Sequence, residues 1–467
     1  MIATALGIFL PAMLGGIILA GLAWPGRGWA ALGLKAVLGS GLGLGWVSAL
    51  YFVRLLIWPG QTGYVPLSLV FLAGLLIAAA LTRRWPWHGL TWPLRPTAIS
   101  TVLMAAAVAV LAAAAINLLI NGLILSHGDF DAQMIWNMRA RFIFRNGDAW
   151  AQAFSPLIDP DFHQDYPLLV PLNVVAGWTT LGAENLRVPL VQSLLFALGS
   201  PAALMLGLAH LRSVGLGALG AAMLAASPLW LLVSGFQTAD VPLAFFFLAA
   251  ALMLLIATRE QDSGAFFLAG LAAGLSGWTK NEGLVFILSA SAAVWLVIRP
   301  QRSGWMAFLG GLALPLAVIL TFKLTFPTPN DVVSPQGLGN VLPRLADPAR
   351  YALILRYLLR ELSQLAGWTP SLAIIGMLGL FWLTWRAPHD PSLRPGIRAV
   401  MVLTLLQFGA YLGIYLITPR DLTWHLMYSM DRLLLQLFPL GLLLLLVTVN
   451  TPEKALQHNA NSETPQP

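Results

Sequence analysis

Apolar segments of about 20 residues recur along nearly the whole chain, with short polar breaks between them. A helix of that length spans the hydrocarbon layer of a bilayer and satisfies its own backbone hydrogen bonds there. The pattern therefore predicts an all-α polytopic membrane protein with about thirteen transmembrane helices. Their expected ranges are roughly 2–24, 30–57, 64–82, 98–125, 186–211, 214–235, 240–258, 264–280, 283–299, 305–324, 369–386, 397–418 and 432–450.

Two further segments have helical periodicity but too few apolar residues to span. They are residues 131–146 and about 350–366, where large apolar residues alternate with arginines. Such amphipathic helices lie in the membrane interface, with their arginines toward the lipid headgroups. The last residues, 451–467, are polar and contain proline, which predicts a disordered tail.

Composition supports a membrane protein and excludes several other classes. The chain is 58% hydrophobic and 10% charged, with a mean hydropathy of +0.78, whereas soluble domains carry about 25% charged residues. It has no cysteine, which excludes disulfides, cysteine metal sites and cysteine nucleophiles. The net charge of +7 comes without a dense basic tract, so we expect contact with membrane lipids and no nucleic-acid partner.

The arginines of short loops predict the orientation, because such loops stay in the cytoplasm. Loop 83–97 carries Arg83, Arg84 and Arg95, whereas the preceding loop at 58–64 carries no basic residue. Loop 83–97 is therefore expected inside, together with the breaks near 212, 259, 299–302 and 386–398 and with the tail. The N-terminus and the long loops 126–185 and 325–368 are then expected outside.

Nearly all the unusual polar residues fall on this predicted external side. They lie in segments 126–133, 162–167, 236–240, 278–283 and 418–432. The two sides are assigned from the arginines of other loops. The convergence of these polar segments on one side is therefore a partly independent observation. It indicates one functional site on the external face.

Asp129 and Asp131 follow the span at 98–125 directly. Either carboxylate could serve as a general base, with a pKa raised by burial against Phe130 and Trp136. The two could instead hold a divalent cation with other ligands, or cap the next helix. No cofactor is certain from the sequence, and the metal stays unknown.

Three other clusters invite both a functional and an ordinary interpretation. His163 and Asp165 suit metal binding or proton transfer, or they belong to a plain polar loop in which Asp159 and Asp161 are capping acids. Lys280 and Glu282 interrupt an apolar run, which marks function by default, although a tight turn with a surface ion pair would also place them there. Asp240 is expected to cap the helix that follows it, with Pro242 in the first turn.

The third cluster lies near the predicted last span. Arg432 is expected at the start of that helix, where it could bind a lipid phosphate or act as a snorkelling anchor. Snorkelling does not account for the nearby Asp421, His425 and Asp431.

The order of four motifs resembles a known superfamily. "GDFDAQMIWNMRARF", "DYPLLVPL", "TKNEG" and "DLTWHLMYSMDRLLLQLFP" together resemble bacterial GT-C membrane glycosyltransferases, the relatives of protein O-mannosyltransferases and of lipid A aminoarabinose transferases. The resemblance covers roughly 98–440. It suggests a GT-C-like core at 98–450, preceded by extra transmembrane helices at 1–97.

The resemblance implies a glycosyltransferase of the bacterial inner membrane with a periplasmic active site. It would move a hexosyl or pentosyl group from a polyprenyl-phosphate-linked donor to an extracytoplasmic glycan, lipid or protein. Asp131 matches the family's catalytic acid, with Asp129 as the alternative, although Ala132 stands where a second acid is common. The candidate cations for the donor phosphate are Arg432, Lys280, His425 and Arg420. The acceptor or a secondary site would involve His163, Asp165, Tyr166, Glu282 and Asp421.

A transporter or lipid flippase of the cell envelope is the competing hypothesis. Transporters place polar residues near the bilayer midplane and often consist of two related halves. Here the polar residues concentrate at one surface and the sequence shows no repeated halves, which favours the enzyme.

Overall fold

The computed structural model describes residues 2–58, 64–87, 89, 91, 97–328, 339–368, 375–376, 378–379, 381–382 and 390–454. These residues form an all-helical protein without a β-strand, as predicted. The α-helices are α1 (Ile2–Ala23), α2 (Trp29–Ile57), α3 (Tyr64–Thr82), α4 (Ala98–Ile124), α5 (Asn137–Asn146), α6 (Leu169–Leu181), α7 (Arg187–Leu211), α8 (Val214–Ala225), α9 (Pro228–Gly235), α10 (Asp240–Glu260), α11 (Ser263–Thr279), α12 (Glu282–Ala293), α13 (Arg302–Thr325), α14 (Val341–Leu345), α15 (Pro348–Ser363), α16 (Arg394–Ile417) and α17 (Leu422–Thr448).

Nine helices within the described ranges are long and apolar enough to cross a membrane, or ten if the bent pair α8 and α9 is one span. The predicted span 214–235 is that pair, bent by 60°. The bend occurs where Ser227 caps α9 by accepting a hydrogen bond from the Trp230 N–H, with Pro228 next in the chain.

Two of the thirteen predicted spans lack a full-length counterpart among the described residues, and a third lies mostly outside them. Segments 264–280 and 283–299 form α11, of 17 residues, and α12, which continues through a π-helical turn at Val294–Ile298. Most of segment 369–386, like most of the tail at 451–467 and of loop 58–64, lies outside the described residues. The polytopic class is confirmed, and the number thirteen stays a prediction.

Helix α10 is the centre of the bundle, because its residues are buried from Asp240 to Thr258. Its phenylalanines pack against neighbouring helices: Phe245 meets Phe196 edge-on at 5.3 Å, and Phe247 stacks on Phe286 at 3.9 Å. With 21 residues, α10 separates Asp240 from Glu260 by about 30 Å. The polar residues around those two ends therefore belong to opposite ends of the bundle.

The N-terminal helices pack into this bundle. Helices α1 and α2 meet at glycines, where a Cβ on Gly16 would lie 1.9 Å from the Gly39 carbonyl oxygen. On its other side, Phe52 of α2 contacts the rings of Trp278 and Phe322. The predicted division between extra helices and core at residue 97 stays a prediction, and α2 is packed against both α11 and α13.

Two expectations for the amphipathic and terminal helices need correction. Segment 131–146 forms a π-helical turn, Ala132–Trp136, followed by α5. Its Arg139 is 2% exposed and donates to the carbonyls of Phe162, His163 and Tyr166, so it does not face headgroups. The last helix begins at Leu422, capped by Asp421, and Arg432 therefore lies almost three turns inside it.

The other amphipathic segment is a helix, as expected. Helix α15 begins at Pro348 after its cap Asp347, and it leaves Tyr351, Leu355 and Leu359 about half exposed. An exposed apolar stripe of this kind suits the membrane interface.

Candidate functional site

Arg432 connects two carboxylates that come from distant parts of the chain. Its Nη1 donates a short hydrogen bond to Asp131, at the start of the π-helical turn, and lies 3.8 Å from Asp240 Oδ2. The guanidinium is held in place because α17 packs beside α10. The predicted base and the predicted phosphate ligand are thus in direct contact.

Asp240 is the residue to which this cluster is anchored. It is 2% exposed and accepts hydrogen bonds from Lys280 Nζ at 2.9 Å, Gln436 Nε2 at 2.6 Å and Thr238 Oγ1 at 3.1 Å. The expectation of a helix cap is wrong, because Ala239 occupies the N-cap position and no side chain caps α10. A signal was present in the sequence: an acid at the head of an unbroken apolar helix needs a cation nearby.

Lys280 continues the line of charges to Glu282. It lies at the break between α11 and α12, 2.9 Å from Asp240 Oδ1 and 2.8 Å from Glu282 Oε1. Burial alone would lower the pKa of Lys280, but the two carboxylates outweigh it and hold the pKa well above its usual value. Lys280 is 7% exposed, so the alternative of a surface ion pair is wrong.

A second polar cluster forms around Asn281, the residue that follows Lys280 in the chain. Asn281 donates to Asp165 Oδ2 at 2.6 Å and accepts from Lys323 Nζ at 2.9 Å. Lys323 also donates a short hydrogen bond to the Asp165 carbonyl. Lys323 was missed by the sequence analysis because it lies on α13, within a segment interpreted only as a span.

Three rings form a column along the cavity wall. His163 stacks on Tyr166 at 4.6 Å with 7° between the planes, and Tyr166 stacks on Trp136 at 5.5 Å. His163 has a φ of 49°, a conformation that few side chains adopt without support. Burial and the Glu282 carboxylate raise the pKa of Tyr166 well above its usual value, so its hydroxyl stays protonated at neutral pH.

Part of the charged line and part of the ring column face one cavity of about 260 Å³. Asp131, Asp240 and Trp136 are not among the residues that line it. Eight of the predicted site residues line it: His163, Asp165, Tyr166, Lys280, Glu282, Arg420, His425 and Arg432. Apolar residues of α12, α16 and α17, such as Val285, Ile414 and Leu433, complete the wall. A polar end beside an apolar wall suits a ligand with a charged head and a hydrocarbon part.

The remaining predicted site residues lie differently. Asp131 adjoins the cavity through Arg432, and Asp421 caps α17 by accepting from the Trp424 N–H at 2.7 Å. The Asp129 N–H donates to the Phe236 carbonyl, and the Asp129 side chain is not among those that line the cavity.

The expected burial of Asp129 and Asp131 against Phe130 and Trp136 does not occur. Phe130 is 69% exposed, and Trp136 stacks on Tyr166 instead. The surroundings of Asp131 are therefore set by the guanidinium of Arg432.

Arg420 closes the opposite rim of the cavity. It pairs with Asp161 at 2.9 Å and lies 5.4 Å above the Trp424 ring. Asp159 behaves as the expected capping acid, since it accepts from the Asp161 N–H at 2.9 Å. Asp161 does not, because its carboxylate joins the loop to Arg420.

Within the part of the chain that the structure describes, no three His, Asp or Glu side chains are grouped so as to hold a metal ion. Asp129 and Asp131 thus have no third acidic or histidine ligand there. The cavity instead presents ammonium and guanidinium groups, which bind phosphate.

Residues 166–324, about a third of the chain, match the family model described as dolichyl-phosphate-mannose-protein mannosyltransferase, which is a GT-C type family of membrane glycosyltransferases. The match confirms the resemblance drawn from the motifs. It includes Tyr166, Asp240, Lys280 and Glu282, and it ends before Arg432. Neither a curated protein nor a solved structure matches the chain.

Proposed function

We propose that this membrane glycosyltransferase moves a sugar from a polyprenyl-phosphate donor to an acceptor hydroxyl on the extracytoplasmic face of a bacterial inner membrane. The observation that carries the proposal is the pairing of Arg432 with Asp131 beside Lys280, at the polar end of a cavity with an apolar wall. A lipid phosphate needs both features, and a transferred hydroxyl needs a base nearby.

Arg432 and Lys280 would hold the donor phosphate. As the bond between the sugar C1 and the phosphate oxygen breaks, charge grows on that oxygen, and fixed cations stabilise it. Lys280 Nζ lies 5.9 Å from the centroid of the Tyr166 ring. The hydroxyl of Tyr166, which stays protonated, would supply a further hydrogen-bond donor to the phosphate. Arg420 and His425 carry positive or hydrogen-bonding groups at the other rim.

Asp131 would accept the proton of the acceptor hydroxyl as the acceptor oxygen bonds to C1. One displacement of this kind inverts the anomeric centre, and it leaves polyprenyl phosphate and a protonated Asp131. Asp129 is the alternative base. His163, Asp165 and Glu282 also line the cavity, and they would contact the sugar or the acceptor, be it a glycan, a lipid or a protein.

Arg432 variants test this function. Protein in nanodiscs is given lipid-linked sugars extracted from bacterial membranes, and the release of free polyprenyl phosphate is followed by mass spectrometry. We expect Arg432→Ala to lower the release by about 10²-fold or more. Arg432→Lys should recover only part, because an ammonium lacks the guanidinium fork.

Arg360→Ala is the matched control, since Arg360 is 56% exposed on α15 and 3.9 Å from its nearest carboxylate. Full activity of Arg432→Lys would show that a point charge suffices there and that the guanidinium fork plays no part in binding the phosphate. The absence of released polyprenyl phosphate from the wild type with every lipid-linked sugar tried would refute the proposed donor class.

A further inference from the structure

Five side chains form a row in which acids and cations alternate: Asp131, Arg432, Asp240, Lys280 and Glu282. Three carboxylates thus share two cations. Each cation that the proposed function assigns to the donor phosphate already contacts two carboxylates. On Arg432, both acids contact the same guanidinium nitrogen, Nη1, so a phosphate oxygen that binds there must displace a carboxylate from it.

The three carboxylates differ in how firmly they are held. Asp240 is 2% exposed and accepts three hydrogen bonds besides its contact with Arg432. Removing it from its cations would leave a buried, unpaired charge, which is costly. Glu282 is joined to Lys280, a cation that also stays bound to Asp240.

Of the two carboxylates on Arg432, Asp131 is the one that can leave. Its side chain is 26% exposed, and among the described residues its hydrogen-bond partner is Arg432 alone. Once displaced, it can be hydrated, so its separation from Arg432 costs less than that of Asp240. It also lies at the head of a π-helical turn, where helices often carry functional adjustments.

We infer that the Asp131 carboxylate occupies, in the resting enzyme, the place on Arg432 that the donor phosphate takes, so that donor binding frees the catalytic base. This inference rests on the proposed function. While Asp131 is bound to the guanidinium, its Oδ2 is committed to Arg432, and the carboxylate is held toward the cation and not toward an acceptor hydroxyl. The base becomes available only when a donor is present, which restrains premature proton transfer to it.

The same competition assists product release. Transfer converts the phosphodiester into a phosphomonoester, whose charge at pH 7 is about −1.5 to −2, and places the acceptor proton on Asp131. When Asp131 gives that proton to water, its carboxylate again competes for Arg432. With this competitor present, the polyprenyl phosphate leaves Arg432 more readily than it would without it, and its departure restores the resting pair.

The test is the affinity for decaprenyl phosphate, measured by intrinsic tryptophan fluorescence of the protein in nanodiscs. If Asp131 competes with phosphate, Asp131→Asn and Asp131→Ala should bind decaprenyl phosphate roughly tenfold more tightly than the wild type. Both variants should lose transfer activity. Asp148→Asn, which removes an exposed charge from the same loop region, should leave the affinity unchanged.

Each outcome has a separate meaning. Equal or weaker binding by both folded Asp131 variants would overturn the competition and leave the proposed function standing. Equal tightening by Asp148→Asn would also overturn it, because a general change in charge would then suffice. If neither the wild type nor any variant binds decaprenyl phosphate, the proposed donor class fails, and the inference fails with it.

Discussion

The two ends of α10 each carry a carboxylate, but the two differ in burial and in partners: Asp240 is 2% exposed, whereas the Glu260 side chain is 30% exposed. At the Glu260 end, the carboxylate accepts from Trp24 Nε1 and contacts His210 Nε2, each at 2.7 Å. The adjacent Arg259 donates to the carbonyls of His210 and Leu211. At the Asp240 end, the carboxylate is bound by two cationic side chains, Lys280 and Arg432.

The difference separates a structural charge from one that a ligand can use. The partners of Glu260 join α10 to Trp24, which follows α1, and to α7, and those of Arg259 are backbone atoms that cannot move away independently. The cations of Asp240 line a cavity of about 260 Å³, so a phosphate can reach them. A hydrogen-bonded carboxylate at a helix end thus does not by itself identify the site, whereas buried cations that face a cavity do.

The largest expected difference between the two ends is in accessibility. The chain lacks cysteine, so single cysteines can report each end without background. In intact cells, an impermeant maleimide should label Leu157→Cys, which replaces a residue 95% exposed near the cavity. It should not label Pro391→Cys, at the predicted cytoplasmic end. The reverse pattern would invert the proposed orientation, and labelling of both would contradict a two-sided arrangement.

The next comparison replaces the carboxylates at the two ends of α10, Asp240 and Glu260, by their amides. Asp240→Asn leaves Lys280 and Arg432 short of a counter-charge, so we expect a loss of stability of about 3–5 kcal/mol and at least a 10²-fold lower release of polyprenyl phosphate. Glu260→Gln still accepts from Trp24 and should cost about 1 kcal/mol with nearly normal turnover. Thermal unfolding in nanodiscs and the release assay measure both. Equal losses of turnover would show that the two ends do not differ in function.

The smallest expected effect concerns the support that α2 gives to the Asp240 end. Ser48 is fully buried, donates to the Leu169 carbonyl and accepts from Trp278 Nε1, both at 3.2 Å. Leu169 comes shortly after Tyr166 in the chain, and Trp278 comes shortly before Lys280. Ser48→Ala should cost about 1–3 kcal/mol by leaving the Trp278 N–H unpaired, and it should lower turnover several-fold.

Ser40→Ala is the control for Ser48→Ala, because Ser40 donates only within its own helix, to the Ala36 carbonyl. It should leave turnover unchanged. If Ser48→Ala loses stability but keeps full turnover, α2 supports the fold without positioning the site.

Much of the site could be predicted because burying a polar group in lipid is costly wherever it occurs. Lys280, Glu282 and Arg432 interrupt apolar runs, and they are three of the eight predicted site residues that line the cavity. Asp240 and Lys323 were misjudged because each has an ordinary local interpretation, as a helix cap or as part of a span. Arg139 was misjudged in the opposite sense: its spacing is amphipathic, but its partners are carbonyls of a loop that begins 23 residues later.

The sequence by itself determined the membrane class, most of the spanning helices and the grouping of polar segments at one end. These depend on local free energies of transfer, which the residues of one segment decide together. Only the tertiary structure decided which charge meets which. Asp131 and Arg432 are 301 residues apart in the chain, and Asp240 and Gln436 are 196 apart. A buried charge requires a partner, but the packing of distant helices selects it.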